Sequence, residues 1–442
     1  MKIYDSLSQK KHSLNEKKIT MYNCGPTVYN DIHIGNSRPI ITFDVLWRFL
    51  EYLGNTVIYV HNITDVDDKI IFKAKEVKKT ENELSDFYYH EYLDILKKIN
   101  IKKMKIMPRV TKHIDDIIEY IQKLINLKKA YVSNGDVYFN IDTVSDSYGI
   151  LSKQNLSNLL KGAKNEENVN KKNPLDFVLW KKTNIGINWK SPWSTGRPGW
   201  HTECSLFINK YIGNQVTIHG GGVDLKFPHH ENENAQNIAL TGMGIAKYWM
   251  HIGHINMNSE KMSKSLGNII LVKDFLMEYK YEVLRWFFYQ TQYENPINYS
   301  KDKIAQSIND LVKIFSQLDK AFISFELNQK KNIFNYEIST EFIDAISDDI
   351  NFPNAVAVIW TQIKKIGESI KNNDFQILNK NINYVISELA ILGIEYKFVL
   401  TNQMKKNIKI WRDSINTKQY NISDKYRNLI DCEIKERNTF LK

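Results

Sequence analysis

The sequence predicts an α/β protein in which a parallel-sheet domain carries an inserted α/β segment and is followed by an all-α helix-bundle C-terminal half. Three observations predict this class. A strand-helix-strand pattern lies near the N-terminus, glycines cluster between Gly196 and Gly222, and amphipathic helical spacing continues beyond Asp302. A length of 442 residues suggests several domains.

The first elements form a βαβ unit. Alternating apolar residues predict a strand over Lys18–Asn23, which ends in a turn at Cys24-Gly25-Pro26. Apolar residues at helical spacing predict a helix over Arg38–Leu53, and the β-branched run Thr56–Val60 predicts a buried parallel strand. Such a Rossmann-like unit binds a nucleotide-sized ligand beside the helix N-terminus, where the loop from Cys24 to Asn36 lies.

An insertion and a helical half follow the βαβ unit. Helical spacing runs from about Glu81 to Lys129, and a hairpin is predicted over Ala130–Ile141 around Asn134-Gly135. Past Asp302, amphipathic stretches such as Ile304–Phe322 predict a helix bundle.

Charge and cysteine content restrict the partners and the compartment. Lys+Arg number 60 against 50 Asp+Glu, and Thr401–Lys442 alone holds ten basic and five acidic residues. This segment fits either a solvated tail or a surface that meets phosphate. Three cysteines are too few to staple such a chain, and no run approaches the roughly 18 to 20 apolar residues that cross a bilayer. We therefore expect a cytoplasmic protein without a membrane partner.

Two short segments suggest chemistry at a phosphate. His33-Ile34-Gly35-Asn36 follows the first strand, and Lys261-Met262-Ser263-Lys264-Ser265 lies far downstream. Each string is weak alone. A histidine and an amide side chain beside a helix N-terminus can donate to phosphoryl oxygens, and two lysines can neutralise charge that develops at phosphorus. Together the segments favour attack on an α-phosphate.

The cysteines and histidines leave two interpretations open. Cys24 and Cys204 are far apart in the chain, so their spacing is not a zinc motif. In Pro228-His229-His230-Glu231-Asn232-Glu233 the proline suits a first helical turn, and His229 and Glu233 would then project from one face. Two sulfurs, an imidazole and a carboxylate could form a zinc site. Spacing alone favours a polar helix start and two small core cysteines.

Longer motifs carry a resemblance to a family. With the two phosphate-side segments, four further runs resemble the class I aminoacyl-tRNA synthetases, and among them the cysteine-tRNA ligases, from residue 1 to about residue 300. These runs are Met21–Tyr29, Asn62–Lys69, Pro198–Ser205 and His219–Glu233. Asn36 departs from the family's His-Ile-Gly-His signature, although its amide can still donate to phosphate.

The resemblance implies an ATP-dependent ligase that joins L-cysteine to the 3′ end of tRNA(Cys) through cysteinyl-adenylate. It also implies one zinc ion (Zn2+) per chain in the amino-acid pocket, held by Cys24, Cys204, His229 and Glu233. His230 is the competitor for the histidine position. Zinc binds a thiolate readily and a neutral alcohol poorly, so it would select cysteine over serine.

The family motifs imply roles for further residues. The implied catalytic residues are His33, Asn36, Lys261 and Lys264. The implied ATP-binding residues are His33, Gly35, Asn36, Asp224 and Lys264, with Mg2+ entering with ATP. The implied substrate-binding residues are Thr64 and Trp200. A turn aspartate at position 224 and a core-packing tryptophan at position 200 are the alternatives.

The predicted domain order follows the motifs. The segments are 1–95, the first half of the catalytic domain; 96–192, the insertion; 193–258, the second half with the zinc site; 259–302, the Lys-Met-Ser-Lys-Ser loop and stem-contact region; 303–400, the helix bundle; and 401–442, the basic tRNA-binding tail. We expect a monomer whose partners are tRNA(Cys), ATP and L-cysteine.

Two rival functions would use the same core. One is a ligase that joins cysteine to an amino sugar without tRNA, and the other is a non-catalytic tRNA-binding paralogue. The basic, helical C-terminal region disfavours the first rival, and the intact pair of phosphate-side segments disfavours the second. The closing residues Asn438–Lys442 depart from the family's final segment. This departure bears on the details of how the anticodon is read.

Overall fold

A computed structural model describes residues 1–154, 170–257, 260–262 and 267–439. The chain divides into two compact units. The N-terminal unit comprises Lys2–Phe43 and Leu50–His254, and the C-terminal unit comprises Met1, Asp44–Phe49 and Ile255–Lys442.

Strands occur in both units. In chain order they are β1 (Lys2–Asp5), β2 (Lys10–Ser13), β3 (Lys18–Asn23), β4 (Thr56–His61), β5 (Ala130–Ser133), β6 (Asp136–Phe139), β7 (Phe177–Lys182), β8 (Trp189–Lys190), β9 (Thr195–Pro198), β10 (Val216–Gly222), β11 (Ala246–Ile252), β12 (Ile255–Met257), β13 (Glu260–Lys261) and β14 (Ile297–Tyr299).

Helices connect these strands and dominate the C-terminal unit. The α-helices are α1 (Ile34–Tyr52), α2 (Asp68–Glu76), α3 (Glu81–Lys98), α4 (Ile114–Asn126), α5 (Thr202–Tyr211), α6 (Glu231–Thr241), α7 (Val272–Glu278), α8 (Tyr281–Tyr289), α9 (Lys301–Leu327), α10 (Thr340–Ser347), α11 (Phe352–Asn372), α12 (Phe375–Ile391), α13 (Asn402–Asn416) and α14 (Tyr420–Asn438). Short helical turns lie at Val110–Lys112, Ile141–Val144, Val223–Leu225 and Lys226–His230.

The N-terminal unit is built on a four-stranded parallel sheet with the order β11-β10-β3-β4. Met21 and Tyr22, neighbours on β3 whose side chains point to opposite faces, are both fully buried, as expected of a strand that is covered on both faces. The helix α1 connects β3 to the parallel strand β4 and begins earlier than its predicted start at Arg38. The predicted βαβ unit and the Rossmann-like α/β class are confirmed.

The carboxyl ends of the four parallel strands meet at one edge of the sheet, where ligands bind in such folds. Cys24 follows β3 directly, Asn62 follows β4 and Val223 follows β10. The glycines of β10 allow close packing at this edge. A Cβ on Gly220 would lie only 1.9 Å from the carbonyl oxygen of Met250, so no larger residue fits there.

The N-terminal unit also contains a five-stranded antiparallel sheet with the order β5-β6-β7-β9-β8, whose last strand β9 lies beyond the predicted insertion 96–192. The turn between β5 and β6 is Asn134-Gly135, whose φ angles are 52° and 88°. Two positive φ angles are what a tight type I′ hairpin turn requires. The predicted hairpin is confirmed.

The helical pattern predicted from Glu81 to Lys129 is interrupted. The helices α3 and α4 are separated by a segment in which Ile106 forms a parallel bridge with Val60, and Arg109 forms one with Ile63. This segment extends the pairing beyond the end of β4. The prediction of one continuous helical stretch was therefore wrong in its middle, because Pro108 disrupts a helix and long-range strand pairing overrides the local helical spacing.

The C-terminal unit is helical from α7 onward apart from β14, and the predicted helix bundle is confirmed. Within this unit Asp44 and Arg285 form a fully buried ion pair at 2.8 Å. The last two helices pack on α9 through an apolar cluster formed by Ile323, Met404, Ile408, Ile430 and Ile434. None of the helices in the described ranges has the length and apolarity that a membrane span requires.

Candidate functional site

A cavity of about 190 Å³ opens at the carboxyl edge of the parallel sheet in the N-terminal unit. Residues from the loop after β3, the start of α1, the end of β4 and the turn after β10 line it. The structure brings together here most of the sequence-predicted site residues of this unit, namely Cys24, Gly35, Asn36, Thr64, Trp200, Cys204, Asp224 and His229. The residues predicted for metal, amino acid and nucleotide thus share one cavity.

Cys24, Cys204, His229 and Glu233 form a compact cluster at this cavity. Cys24 Sγ lies 3.8 Å from Cys204 Sγ and 3.5 Å from Glu233 Oε1. His229 Nε2 lies 3.6 Å from Cys204 Sγ and 2.9 Å from Glu233 Oε1. The four ligand atoms all lie within 4.8 Å of one another.

The separations that involve sulfur fit one tetrahedral zinc ion. Zinc bonds of roughly 2.0–2.3 Å place neighbouring ligand atoms about 3.3–3.8 Å apart. The sulfur–sulfur, sulfur–oxygen and sulfur–nitrogen separations of 3.8, 3.5 and 3.6 Å fall in this range. The 2.9 Å between His229 Nε2 and Glu233 Oε1 is shorter and is that of a direct hydrogen-bonded ion pair. Thiolate, imidazole and carboxylate are all zinc donors. The donor set therefore fits the ion that the family motifs imply.

A second group of four shares two of these residues. Cys24 and Glu233 also lie close to His219 and His230. His230 Nε2 is 3.5 Å from Cys24 Sγ, and His219 Nε2 is 2.6 Å from Glu233 Oε2. The geometry thus admits both His229 and His230, the two histidines that the sequence left in competition.

Of the two cysteines, Cys204 is the one whose thiol ionises more readily. Burial raises the pKa of the Cys204 thiol, but hydrogen bonding with Cys24 and the neighbouring His229 lower that pKa to about 6. Burial and the adjacent Cys204 raise the pKa of Cys24. Burial also acts to raise the pKa of Glu233, but His219 and His229 hold it well below its usual range. A thiolate at Cys204 beside the carboxylate of Glu233 is a ready pair of metal ligands.

The local chain geometry explains how His229 reaches Glu233. The helix α6 begins at Glu231 and not at the predicted start, Pro228. His230 and Glu231 nevertheless have helical dihedral angles, with φ of −65° and −61°. His229 and Glu233 are therefore one helical turn apart, and the predicted proximity of the two side chains is observed.

Each of the two competing histidines, His229 and His230, lies within hydrogen-bonding distance of another histidine. His201 Nδ1 lies 2.9 Å from His229 Nδ1, and His251 Nε2 lies 2.9 Å from His230 Nδ1. Burial lowers the pKa of His201 well below its usual range and that of His251 to about 3, so both are neutral hydrogen-bonding groups. Such contacts orient metal ligands and fix their tautomers.

Sequence reasoning assigned no role to His201, His219 or His251. His201 and His219 lie inside the motifs that carried the family resemblance, and His201 is close to Cys204 in the chain. His251 lies near the carboxyl end of the buried strand β11. A polar residue at that end of a parallel strand is a signal that could have found it.

The segment His33–Asn36 lies at the start of α1. Asn36 Oδ1 accepts a hydrogen bond from the backbone N–H of His33 at 3.2 Å, as the third helical residue of a capping box does. A Cβ on Gly35 would lie 2.8 Å from His33 Nδ1, so the glycine leaves room for the imidazole. Asn36 thus has a local structural role in addition to its predicted role at phosphate.

Trp200 and Asp224 lie at the cavity. Trp200 is 42% exposed and stacks on His229 with ring centroids 4.7 Å apart, whereas Trp180 is fully buried. The core-packing alternative for Trp200 is therefore wrong. Asp224 lies in the turn Val223–Leu225, directly after β10. Asp224 is thus a turn residue that lines the cavity, and its ribose role stays a prediction.

The predicted lysines belong to the C-terminal side of the chain. Lys261 lies in β13 of the C-terminal unit, where it pairs with Asn256. Lys264 lies outside the described residues. The joint action of these lysines with His33 and Asn36 stays a prediction.

The chain is similar to known proteins along its length. A family model described as the catalytic domain of tRNA synthetases class I (C) matches residues 10–309. The cysteine–tRNA ligase of Malacoplasma penetrans (strain HF-2) is 49% identical over 436 residues, which cover 97% of this chain and 99% of the relative. The cysteine–tRNA ligase of Ureaplasma parvum serovar 3 is 48% identical over 430 residues, with 97% and 98% covered.

A solved structure supports the fold independently of close sequence similarity. Mycobacterium tuberculosis methionyl-tRNA synthetase in complex with methionyl-adenylate superposes with a TM-score of 0.62 at 12% identity, covering 90% of this chain and 91% of that chain. This likeness shows the fold alone. The family match and the near full-length relatives show that the chain belongs to the cysteine–tRNA ligase family of class I tRNA synthetases.

Proposed function

We propose that this protein uses ATP to attach L-cysteine to the 3′ end of tRNA(Cys). The observation that carries the proposal is the cavity in which the Cys24–Cys204–His229–Glu233 cluster lies beside Thr64 and Asp224. A site that binds sulfur, next to the turn after β10 where a nucleotide binds in such folds, suits an enzyme that activates cysteine with ATP. Membership of the cysteine–tRNA ligase family supports the same function.

Cys24, Cys204, His229 and Glu233 would hold one zinc ion. When bound, zinc supplies a Lewis acid that binds a thiolate well and a neutral alcohol poorly, which distinguishes cysteine from serine. His201 hydrogen-bonds His229 and His219 hydrogen-bonds Glu233, so these two residues orient the ligand set. Trp200 stacks on His229 and offers the substrate an apolar wall.

In the first step a carboxylate oxygen of cysteine attacks the α-phosphorus of ATP, and the bond to pyrophosphate breaks. Cysteinyl-adenylate forms. We assign the stabilisation of charge on the phosphoryl oxygens to four residues, His33, Asn36, Lys261 and Lys264. Gly35 would let the start of the helix approach the phosphate closely. Asp224 would accept hydrogen bonds from the ribose hydroxyls. Mg2+ enters with ATP.

In the second step a hydroxyl of the terminal tRNA ribose attacks the carbonyl carbon of the adenylate, and AMP leaves. We assign residues 401–442 to the anticodon side of tRNA and residues 259–302 to its stem. Residues 1–95 and 193–258 would form the catalytic domain, with 96–192 inserted and 303–400 as the connecting bundle. The enzyme would act as a cytoplasmic monomer.

Cysteine-dependent exchange of pyrophosphate into ATP, measured beside a charging assay with purified tRNA(Cys), tests the proposal. We expect both activities, with serine failing to support exchange. Exchange without charging would favour the ligase that acts on an amino sugar. Binding of tRNA without exchange would favour the non-catalytic paralogue.

A further inference from the structure

A second cavity, of about 210 Å³, lies in the C-terminal unit, and the proposed function assigns it no role. Four segments form it, namely the start of α8, the middle of α9, residues 395–397 and the end of α14. Three aromatic rings wall it, those of Tyr281, Phe315 and Tyr396. All four segments belong to one compact unit, so the cavity is a feature of that unit alone.

The carboxylate of Glu282 lines this cavity with one oxygen left without a donor. The residue is 8% exposed, and its Oε2 atom is buried with no hydrogen-bond partner in the described residues. A buried polar atom without a partner costs free energy, and a buried charge costs more. Burial raises the pKa of Glu282, while hydrogen bonding to the backbone and the charge of Lys280 act to lower it. A ligand that brings a proton donor and a positive charge to Oε2 would relieve this cost.

The two cations at the cavity already have carboxylates of their own. Lys397 Nζ lies 2.7 Å from Glu395 Oε2. Arg437 Nε lies 3.5 Å from Asp319 Oδ2, and the guanidinium of Arg437 lies over the ring of Phe398 at 4.7 Å from its centroid. Both cations are thus engaged with carboxylates other than that of Glu282.

The charges at the cavity therefore do not balance. Three carboxylates, those of Glu282, Glu395 and Asp319, stand against two cations, Lys397 and Arg437. The excess negative charge belongs to Glu282, whose Oε2 has no partner among the described residues. An excess of this sign disfavours an anion such as phosphate and favours a cation.

The aromatic walls narrow the class of cation. Ring faces attract ammonium groups, and they also pack against alkyl chains. A divalent metal ion such as Ca2+ or Mg2+ needs several oxygen ligands, whereas the residues that line this cavity offer one buried oxygen without a partner in the described part of the chain. The walls and the single carboxylate oxygen suit an alkyl ammonium group better than a metal ion.

We propose that this cavity binds the ammonium group of an organic amine, with Glu282 as its carboxylate partner and the three rings around its alkyl chain. The inference concerns a different site from the cavity at the parallel sheet and does not depend on the proposed function. An amine in this position would contact α8, α9 and α14 at once. It would therefore bind only the folded C-terminal unit and would stabilise it.

Putrescine, a diamine with a four-carbon chain, is the probe, and 1,4-butanediol, which has the same chain without a charge, is its control. Titration calorimetry of the full-length enzyme should show saturable binding of about one putrescine per chain and no comparable binding of the diol. Thermal unfolding gives an independent measurement. Putrescine at about tenfold excess over its dissociation constant should raise the unfolding midpoint by a few degrees, and the diol should not.

Glu282→Gln keeps the shape of the side chain and removes its charge. This variant should weaken putrescine binding about ten- to a hundredfold, the usual effect of losing a hydrogen bond between charged groups. Glu341→Gln removes the charge of an exposed glutamate on α10 and should bind putrescine as the wild type does. Circular dichroism and the unfolding midpoint without ligand check that each variant folds.

The wild type alone can overturn the proposal. It does so if putrescine shows no saturable binding, or if 1,4-butanediol binds equally well. A Glu282→Gln enzyme that binds putrescine as tightly as the wild type would place the amine elsewhere on the chain. Equal weakening in Glu282→Gln and Glu341→Gln would mean that putrescine responds to net charge and not to this cavity.

Discussion

The imidazole of His61 donates a hydrogen bond from Nδ1 to the backbone carbonyl oxygen of Asn23 at 2.9 Å. Its Nε2 accepts from the hydroxyl of Tyr92 at 2.6 Å. A carbonyl oxygen can only accept, so the proton must reside on Nδ1. Asn23 directly precedes Cys24, and this buried, neutral imidazole therefore anchors the chain just before a proposed zinc ligand.

This arrangement makes the protein sensitive to acid. Burial lowers the pKa of His61 to about 4, although the hydrogen bond to Asn23 acts in the opposite direction. In the unfolded chain a histidine titrates near 6.5, so below that pH the unfolded state binds a proton that the folded state refuses. The contribution of His61 is present above about pH 6.5 and is lost as the pH falls toward 4, by about 3 kcal/mol in total.

We therefore expect His61→Gln to lose less stability than the wild type between pH 7 and pH 5. Denaturant unfolding followed by tryptophan fluorescence over this range measures the difference. His90→Gln, which replaces an exposed histidine of the same unit, is the control and should follow the wild-type slope. A His61→Gln protein with that same slope would contradict the prediction.

The second prediction concerns the metal. Cys204→Ser should abolish zinc and cysteine binding and leave ATP binding largely intact, because an alcohol replaces the sulfur that is most readily a thiolate. Elemental analysis and calorimetry measure the three properties. Cys432→Ser changes an exposed cysteine and should keep about one zinc per chain. Full zinc occupancy in Cys204→Ser would rule out this ligand set.

The third prediction concerns His201, which hydrogen-bonds the proposed zinc ligand His229. His201→Phe keeps the ring volume but removes the nitrogen that lies 2.9 Å from His229 Nδ1. Removal of such an orienting group typically lowers metal affinity about 10- to 100-fold. Competition with a chelator measures zinc affinity, and His113→Phe, which alters a histidine paired with Asp116, is the matched control. Equal zinc affinity in the two variants would exclude a ligand-orienting role for His201.

The regular elements of the fold were predictable because their signals are local. The strand Lys18–Asn23 appears with the predicted bounds, and the hairpin at Asn134-Gly135 follows from the positive φ angles that those residues tolerate. The break between α3 and α4 had one local signal, Pro108, which a helix interior does not tolerate. The pairing of Ile106 with Val60 that fills the break had none, because no local pattern encodes a long-range bridge.

The site was predictable only in part. Periodicity gave the pairing of His229 with Glu233. Cys24, which follows β3, and Cys204 of α5 lie 3.8 Å apart only in the folded chain, and their spacing in the sequence does not reveal this. The family motifs supplied that link. His201 and His219 were missed because their roles consist of contacts to other side chains, and such roles depend on tertiary geometry.

The fourth prediction rests on the sequence, because Lys264 lies outside the described residues. Lys264→Ala should slow adenylate formation about 10²-fold or more with little change in cysteine affinity, since its charge acts chiefly in the transition state. Stopped-flow measurement of the activation step tests this. Lys301→Ala removes an exposed lysine at the start of α9 and should activate cysteine at the normal rate. A normal rate in Lys264→Ala would remove that residue from the mechanism.

The described part of the basic segment from Thr401 to Lys442 packs against the helix bundle. Its helices α13 and α14 bury Met404, Ile408, Ile430 and Ile434 against Ile323 of α9. Cutting the chain near Leu400 would expose that cluster, so a truncated enzyme would combine a loss of stability with a loss of binding. Substitution of exposed lysines tests the role in tRNA binding without disturbing the packing.

The last prediction concerns Lys405, Lys406 and Lys409, which are exposed on α13. Phosphate contacts dominate nucleic-acid affinity, so changing all three lysines to Gln should weaken tRNA(Cys) binding and flatten its dependence on salt, by about 0.7 to 0.9 in logarithmic slope for each phosphate that a lysine no longer neutralises. Pyrophosphate exchange should be unchanged. The matched control changes Lys364, Lys365 and Lys371, three exposed lysines of α11, to Gln. Both triple variants remove the same positive charge. A difference between the salt dependences of their tRNA binding therefore reports which helix contacts tRNA and not the change in net charge. Equal slopes would mean that α13 serves stability and not the recognition of tRNA.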